Sequence, residues 1–175
     1  GSLLQRDWPD GVWQLYRTTP KTPGPNASYA DGQVVVTKLT DFPDGLARFS
    51  LSPDGRRCVV MYARGGNENT QLALIDPMAN GVAALTPVLE NPKVQASVNA
   101  WLRDGSGFFY SANDESPTDF HLYLYDLASG KARKILGEKG SWSVSGVTDD
   151  GARVLLTQYF SASDSHVWEL DLKSG

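Results

Sequence analysis

Cysteine occurs once in the 175 residues, at Cys58, so no disulfide can form within the chain. It opens the apolar run Cys58-Val59-Val60-Met61 and reads as a small core hydrophobe rather than a reactive thiol. No apolar run approaches the roughly 20 residues needed to span a bilayer, so a membrane-spanning helix is excluded. Basic charge is also short: 16 Lys and Arg against 20 Asp and Glu give a net charge of −4, which argues against a nucleic-acid partner. The densest basic cluster, Lys131, Arg133 and Lys134, alternates along a predicted outermost strand and reads as a solvated face. A hydrophobic content of 41% with 21% charged residues fits a soluble globular protein, one domain or part of one. Gly1-Ser2 reads as the scar of a cleaved expression tag, so the natural start is expected elsewhere and the missing signal peptide carries no information.

The sequence does contain a repeat. Ser52-Pro53-Asp54-Gly55, Arg103-Asp104-Gly105 and Asp149-Asp150-Gly151 each follow an alternating run and precede a second apolar run, as a β-hairpin does. A third strand then ends in an aspartate, Asp76, Asp126 or Asp171, and the step from turn aspartate to strand-end aspartate is 22, 22 and 21 residues. Pro53 presets φ for a type I turn, and Gly55 closes it at a position suited to a left-handed conformation.

Along the chain, Leu3 to Arg6 and Val12 to Arg17 are predicted strands flanking the turn Trp8-Pro9-Asp10-Gly11, with Val12-Trp13 laid over Val167-Trp168. Residues 18–32, with Pro20, Pro23 and Pro25, form a predicted surface loop, and Asn26-Ala27-Ser28 reads as loop residues rather than a glycosylation acceptor. Gln33 to Thr40 is the next strand. The first complete repeat has predicted strands at Leu46 to Leu51, Arg56 to Ala63, Thr70 to Asp76 and Val82 to Thr86. The second has them at Val98 to Leu102, Gly107 to Ala112, His121 to Asp126 and Lys131 to Leu136. The third supplies Ser143 to Thr148, Ala152 to Tyr159 and His166 to Asp171, and stops at Gly175 before a fourth. Second strands apolar at consecutive positions need cover on both faces. The expected fold is therefore all-β: a partial β-propeller of four-stranded antiparallel blades occupying 1–175, with two complete blades (46–86, 97–136) and parts of two more (1–40, 143–175).

The run Phe49-Ser50-Leu51-Ser52-Pro53-Asp54-Gly55, the strand-end Asp76 and the junction from Lys38 to Gly45 resemble the propeller repeats of prolyl-oligopeptidase-family serine peptidases and the related TolB-type propellers. The first resemblance implies a non-catalytic propeller segment that docks an α/β-hydrolase domain absent from these residues and gates access of peptide substrates. The second implies an interaction propeller that binds a partner protein and has no hydrolase domain. No Gly-x-Ser-x-Gly nucleophile elbow is present, so the family's catalytic residues have no positions here.

No catalytic, cofactor-binding or metal-binding residue is nominated, and no cofactor is expected. His121 and His166 each lie five residues before a strand-end aspartate, where the first repeat has Gln71, so the position reads as structural. Asp164-Ser165-His166 is adjacent in sequence, which is not how a triad is built. Asn113-Asp114-Glu115 and Asp119 lack the ligand spacing of a calcium loop. Recognition is expected on one face: Pro87 to Ala96 with the loops Arg64 to Asn69, Asn113 to Asp119 and Ser161 to Ser165, opposite the Asp-Gly turns. The open blade ends predict a homodimer in which Gln33 to Thr40 of one copy pairs beside Val167 to Asp171 of the other. The compartment, cytoplasmic or periplasmic, stays open.

Overall fold

A computed structural model describes residues 1–174; the final residue of the third repeat, Gly175, lies outside them. Four antiparallel sheets follow one another along the chain. The first holds β1 (Leu3–Asp7), β2 (Gln14–Pro20) and β3 (Val34–Lys38), and the second β4 (Leu46–Leu51), β5 (Cys58–Tyr62), β6 (Gln71–Ile75) and β7 (Thr86–Leu89). The third holds β8 (Ala96–Trp101), β9 (Gly107–Ala112), β10 (His121–Asp126) and β11 (Lys131–Leu136), and the fourth β12 (Ser141–Val147), β13 (Arg153–Ser161) and β14 (Asp164–Asp171). Each sheet is a meander whose neighbours in sequence are neighbours in space.

The alternation of side chains along a strand sends consecutive apolar residues to opposite faces, and the cores follow from it. In β5, Cys58, Val60 and Tyr62 face the first sheet while Val59 and Met61 face the third. In β9, Phe108, Tyr110 and Ala112 face the second sheet and Phe109 faces the fourth. Three cores therefore lie between four sheets. The outward face of the fourth sheet stays open, with Val167 69% exposed and Leu155 45% exposed.

The Asp-Gly turns repeat down to their hydrogen bonds. Gly55 N donates to Ser52 O (2.9 Å), Gly105 N to Leu102 O (3.0 Å) and Gly151 N to Thr148 O (2.9 Å). Asp54 Oδ1 accepts from Arg56 N and the Ser52 hydroxyl, Asp104 Oδ1 from Ser106 N and its hydroxyl, and Asp150 Oδ1 from Ala152 N and the Thr148 hydroxyl. These donors hold all three carboxyls below the usual aspartate range. The strand-end aspartates cap the next turn in the same way: Asp76 Oδ1 accepts from Met78 N, Asp126 Oδ1 from Ser129 N and Asp171 Oδ1 from Lys173 N. Two turns per repeat, each locked by its own carboxylate, account for the regular aspartate spacing.

β8, β12 and β14 each start two residues earlier than expected, and two strands depart further. The outer strand of the second sheet is Thr86–Leu89, not Val82 to Thr86. Arg17 Nη1 holds Pro77 O (2.9 Å) and Ala79 O (3.0 Å), and Ala83 N donates to Leu39 O (2.9 Å). Residues 77–83 are thereby tied to the first sheet, and pairing with β6 begins only where Thr86 meets Leu74. Pro87, expected in a loop, sits in this edge strand, where a missing N–H is tolerated. The second difference is β2, which starts at Gln14 rather than Val12 and runs to Pro20. Leu46 N donates to Trp13 O (2.6 Å) as Ala96 N does to Thr70 O (3.0 Å), which makes Gln14 equivalent to Gln71. Val12-Trp13 consequently stands three residues away from the position of Val167-Trp168.

Gly55 has φ +71 and nothing within 4 Å of an added Cβ, so backbone strain alone sets the effect of substituting it. Gly55→Val is expected to cost on the order of 1 to 2 kcal/mol. A melting temperature equal to the parent's would contradict the left-handed turn.

Candidate functional site

The junctions between sheets define one end of the structure. At each, the start of one sheet's first strand sits beside the residue that precedes β2, β6 or β10 in the sheet before it: Leu46 by Trp13, Ala96 by Thr70, and Ser141 by Phe120 in a parallel bridge. The next residue is buried every time, and it is Gln14, Gln71 or His121. Gln14 Nε2 donates to Phe42 O (2.7 Å) while its Oε1 accepts from Phe42 N (3.1 Å) and the Thr40 hydroxyl (2.8 Å). Gln71 Nε2 donates to Asn91 O (2.9 Å) and Val94 O (3.0 Å), and its Oε1 accepts from Asn91 N. Each glutamine thus clips the connection that leads into the next sheet.

His121 takes the third such position, but its Nδ1 has no hydrogen-bond partner. Here Asp119 Oδ1 accepts from Gly140 N (2.8 Å) and holds the connection instead. His166, the fourth equivalent, is exposed on β14, with Nε2 3.5 Å from Asp164 Oδ1. His121 and His166 are therefore not brought together. Ser165 lies opposite Tyr159 while His166 lies opposite Gln158, so the adjacent Ser165 and His166 point to opposite faces of the sheet.

The expected recognition loops meet on this same end. Asn69 Nδ2 donates to Pro92 O (2.7 Å), Arg64 pairs with Glu90 (3.6 Å), and Asn113 Oδ1 accepts from Gln95 N (2.6 Å). Between them lies a cleft of about 540 Å³ whose lining includes Glu68, Asn91, Lys93, Asn113, Asp114 and Glu115. The acidic loop is knitted to its surroundings: Tyr123 Oη donates to Asp114 Oδ2 (2.6 Å), and Lys134 pairs with Glu115. Desolvation, reinforced by Asp114, pushes the Tyr123 hydroxyl far up. Lys134, expected as part of a solvated face, is held over the Tyr123 ring at 5.8 Å. Ser161 to Ser165 is not a loop of this kind; Ser161 pairs with Asp164 in a tight hairpin between β13 and β14.

Sequence reading missed two features of this end. One is the Gln14 clip, hidden by the offset at β2. The other is the exposed pair Trp8 and Trp13, with ring centroids 4.1 Å apart and the Arg6 guanidinium 4.9 Å from the Trp13 ring. Two tryptophans bracketing a Pro-Asp-Gly turn were the available signal. Among the described residues, no group of three or more His, Cys, Asp or Glu is arranged to hold a metal ion.

The family described as prolyl oligopeptidase, N-terminal beta-propeller domain, matches residues 44–175, which include three of the four sheets. The chain belongs to this family. Among solved structures, TolB from Acinetobacter baumannii is similar at 16% identity with a TM-score of 0.66, over 99% of this chain and 39% of that one. A putative TolB from Agrobacterium tumefaciens is similar at 17% identity and a TM-score of 0.60, over 98% of this chain and 59% of that one. The tricorn protease is similar at 10% identity and a TM-score of 0.59, over 90% of this chain and 14% of that one. These likenesses show a propeller fold, and this chain spans less than two thirds of each of those proteins. No curated protein sequence matches the chain.

Replacing the Gln71 clip by an isosteric apolar residue leaves Asn91 N and the three carbonyls of Asn69, Asn91 and Val94 without this partner. Gln71→Leu is expected to lower stability by about 2 to 4 kcal/mol in chemical denaturation. A loss below about 0.5 kcal/mol, the range of ordinary surface changes, would remove the clip from the account.

Proposed function

We propose that the chain is the non-catalytic propeller segment of a prolyl-oligopeptidase-like serine peptidase, docking an α/β-hydrolase domain and gating the approach of short peptides to it. The family match over residues 44–175 carries this reading. The end formed by the clipped connections and the 540 Å³ cleft supports it, since that end offers irregular loops braced on rigid strands, where recognition is built. The chain's role in such an enzyme is steric and positional, and the nucleophile, general base and oxyanion hole belong to the hydrolase domain. A TolB-like interaction propeller is the second reading, favoured by the TolB structures that cover nearly all of this chain.

The natural full-length protein separates the two. The peptidase reading expects a serine labelled by a fluorophosphonate probe and cleavage of short peptides by the full-length protein, with neither in residues 1–175 alone. A full-length protein without a reactive serine would leave the interaction propeller standing, and a labelled serine within these residues would contradict both.

A further inference from the structure

The third junction differs from the other two in the chemistry of its buried side chain. Gln14 and Gln71 are amides whose hydrogen bonds ignore pH, whereas a histidine changes charge between about pH 5 and 8. His121 is 5% exposed and its unpartnered Nδ1 points at two carboxylates, 3.6 Å from Glu115 Oε2 and 3.9 Å from Asp114 Oδ1. Both carboxylates belong to the connection between β9 and β10 that lines the cleft. We propose that protonation of His121 latches this loop, drawing Asp114 and Glu115 onto a buried imidazolium so that the cleft between the second and third sheets tightens in acid and loosens in base.

The other charged groups around the site leave room for such a latch. On the loop itself, Asp119 is held by Gly140 N and adds negative charge near the ring. From β11, Lys134 engages Glu115 through Oε1 and leaves Oε2 toward His121. From the connection to β12, Lys139 offsets Asp119. From β10, the Tyr123 hydroxyl occupies Asp114 Oδ2 and leaves Oδ1 toward His121. Lys134 and the Gly140 amide hold Glu115 and Asp119 below the usual carboxylate range, so both remain ionised where a histidine gains its proton. A charged imidazole here meets two free carboxylate oxygens. A neutral one has only near-contacts too long to be hydrogen bonds.

Amide hydrogen exchange, expressed as protection factors to remove the intrinsic pH dependence, tests the latch in residues 113–119. Protection is expected to be about tenfold greater at pH 5.5 than at pH 8, the scale of one hydrogen bond to a charged group. His121→Gln should abolish the difference. His166→Gln, at the exposed equivalent position, should leave it intact, and Glu115→Gln should reduce it without removing the histidine. Equal protection at the two pH values in the parent, or an undiminished difference in His121→Gln, would overturn the proposal. If His121→Gln does not fold, Glu115→Gln decides alone: an undiminished difference there overturns it.

Discussion

Burial of the middle strands on both faces is the constraint on which the rest of this structure depends. In β5, β6, β9 and β10 nearly every residue is buried, and the side chains alternate between two separate cores. A fully buried large apolar side chain contributes about 1.5 to 3 kcal/mol relative to an exposed one, far more than a single surface contact. Such a strand has no solvent side to spare, so its sheet needs another sheet on each face. Stacked meanders follow, and a ring of them is the propeller of the family to which the chain belongs.

Stacking alone would let the sheets slide, and the junctions fix their register. A backbone hydrogen bond joins the two sheets at each of the three junctions, from Leu46 N to Trp13 O, from Ala96 N to Thr70 O and, in the reverse sense, from Phe120 N to Gly140 O, and a buried Gln or His follows Trp13, Thr70 and Phe120. The glutamine clips tie the connecting segments to the strands behind them and gather the irregular loops on one end. The Asp-Gly turns at the other end are closed by local hydrogen bonds. The hydrogen bonds that align the sheets therefore also brace the loops of this end.

Features encoded within a few residues were legible in the sequence. The Asp-Gly turns, the strand-end aspartates and the strands Leu46–Leu51, Gly107–Ala112, His121–Asp126 and Lys131–Leu136 follow from side-chain periodicity and turn chemistry, and they stand where the sequence placed them. Features set by another sheet were not. β7 begins late because Arg17 and Leu39, some 60 and 40 residues away, hold the segment before it. The start of β2 depends on a bond from Leu46, while the local pattern Val12-Trp13 imitates Val167-Trp168. The candidate end was legible as a set of loops from strand order. Its working contacts, Gln14 with Phe42 and His121 beside Glu115, depend on three-dimensional juxtaposition and were not.

Cys58 offers the most direct test of two-sided burial. It is wholly buried between the first and second sheets, and desolvation pushes its thiol up to about 12, so it is both inaccessible and protonated in the folded protein. Alkylation of this single cysteine, followed across a denaturant series, should be negligible in the native state and should rise with the same midpoint as the loss of β-sheet circular dichroism. Rapid labelling in native buffer, or labelling that precedes the unfolding transition, would show that the first sheet does not cover the second and would contradict the stacked arrangement.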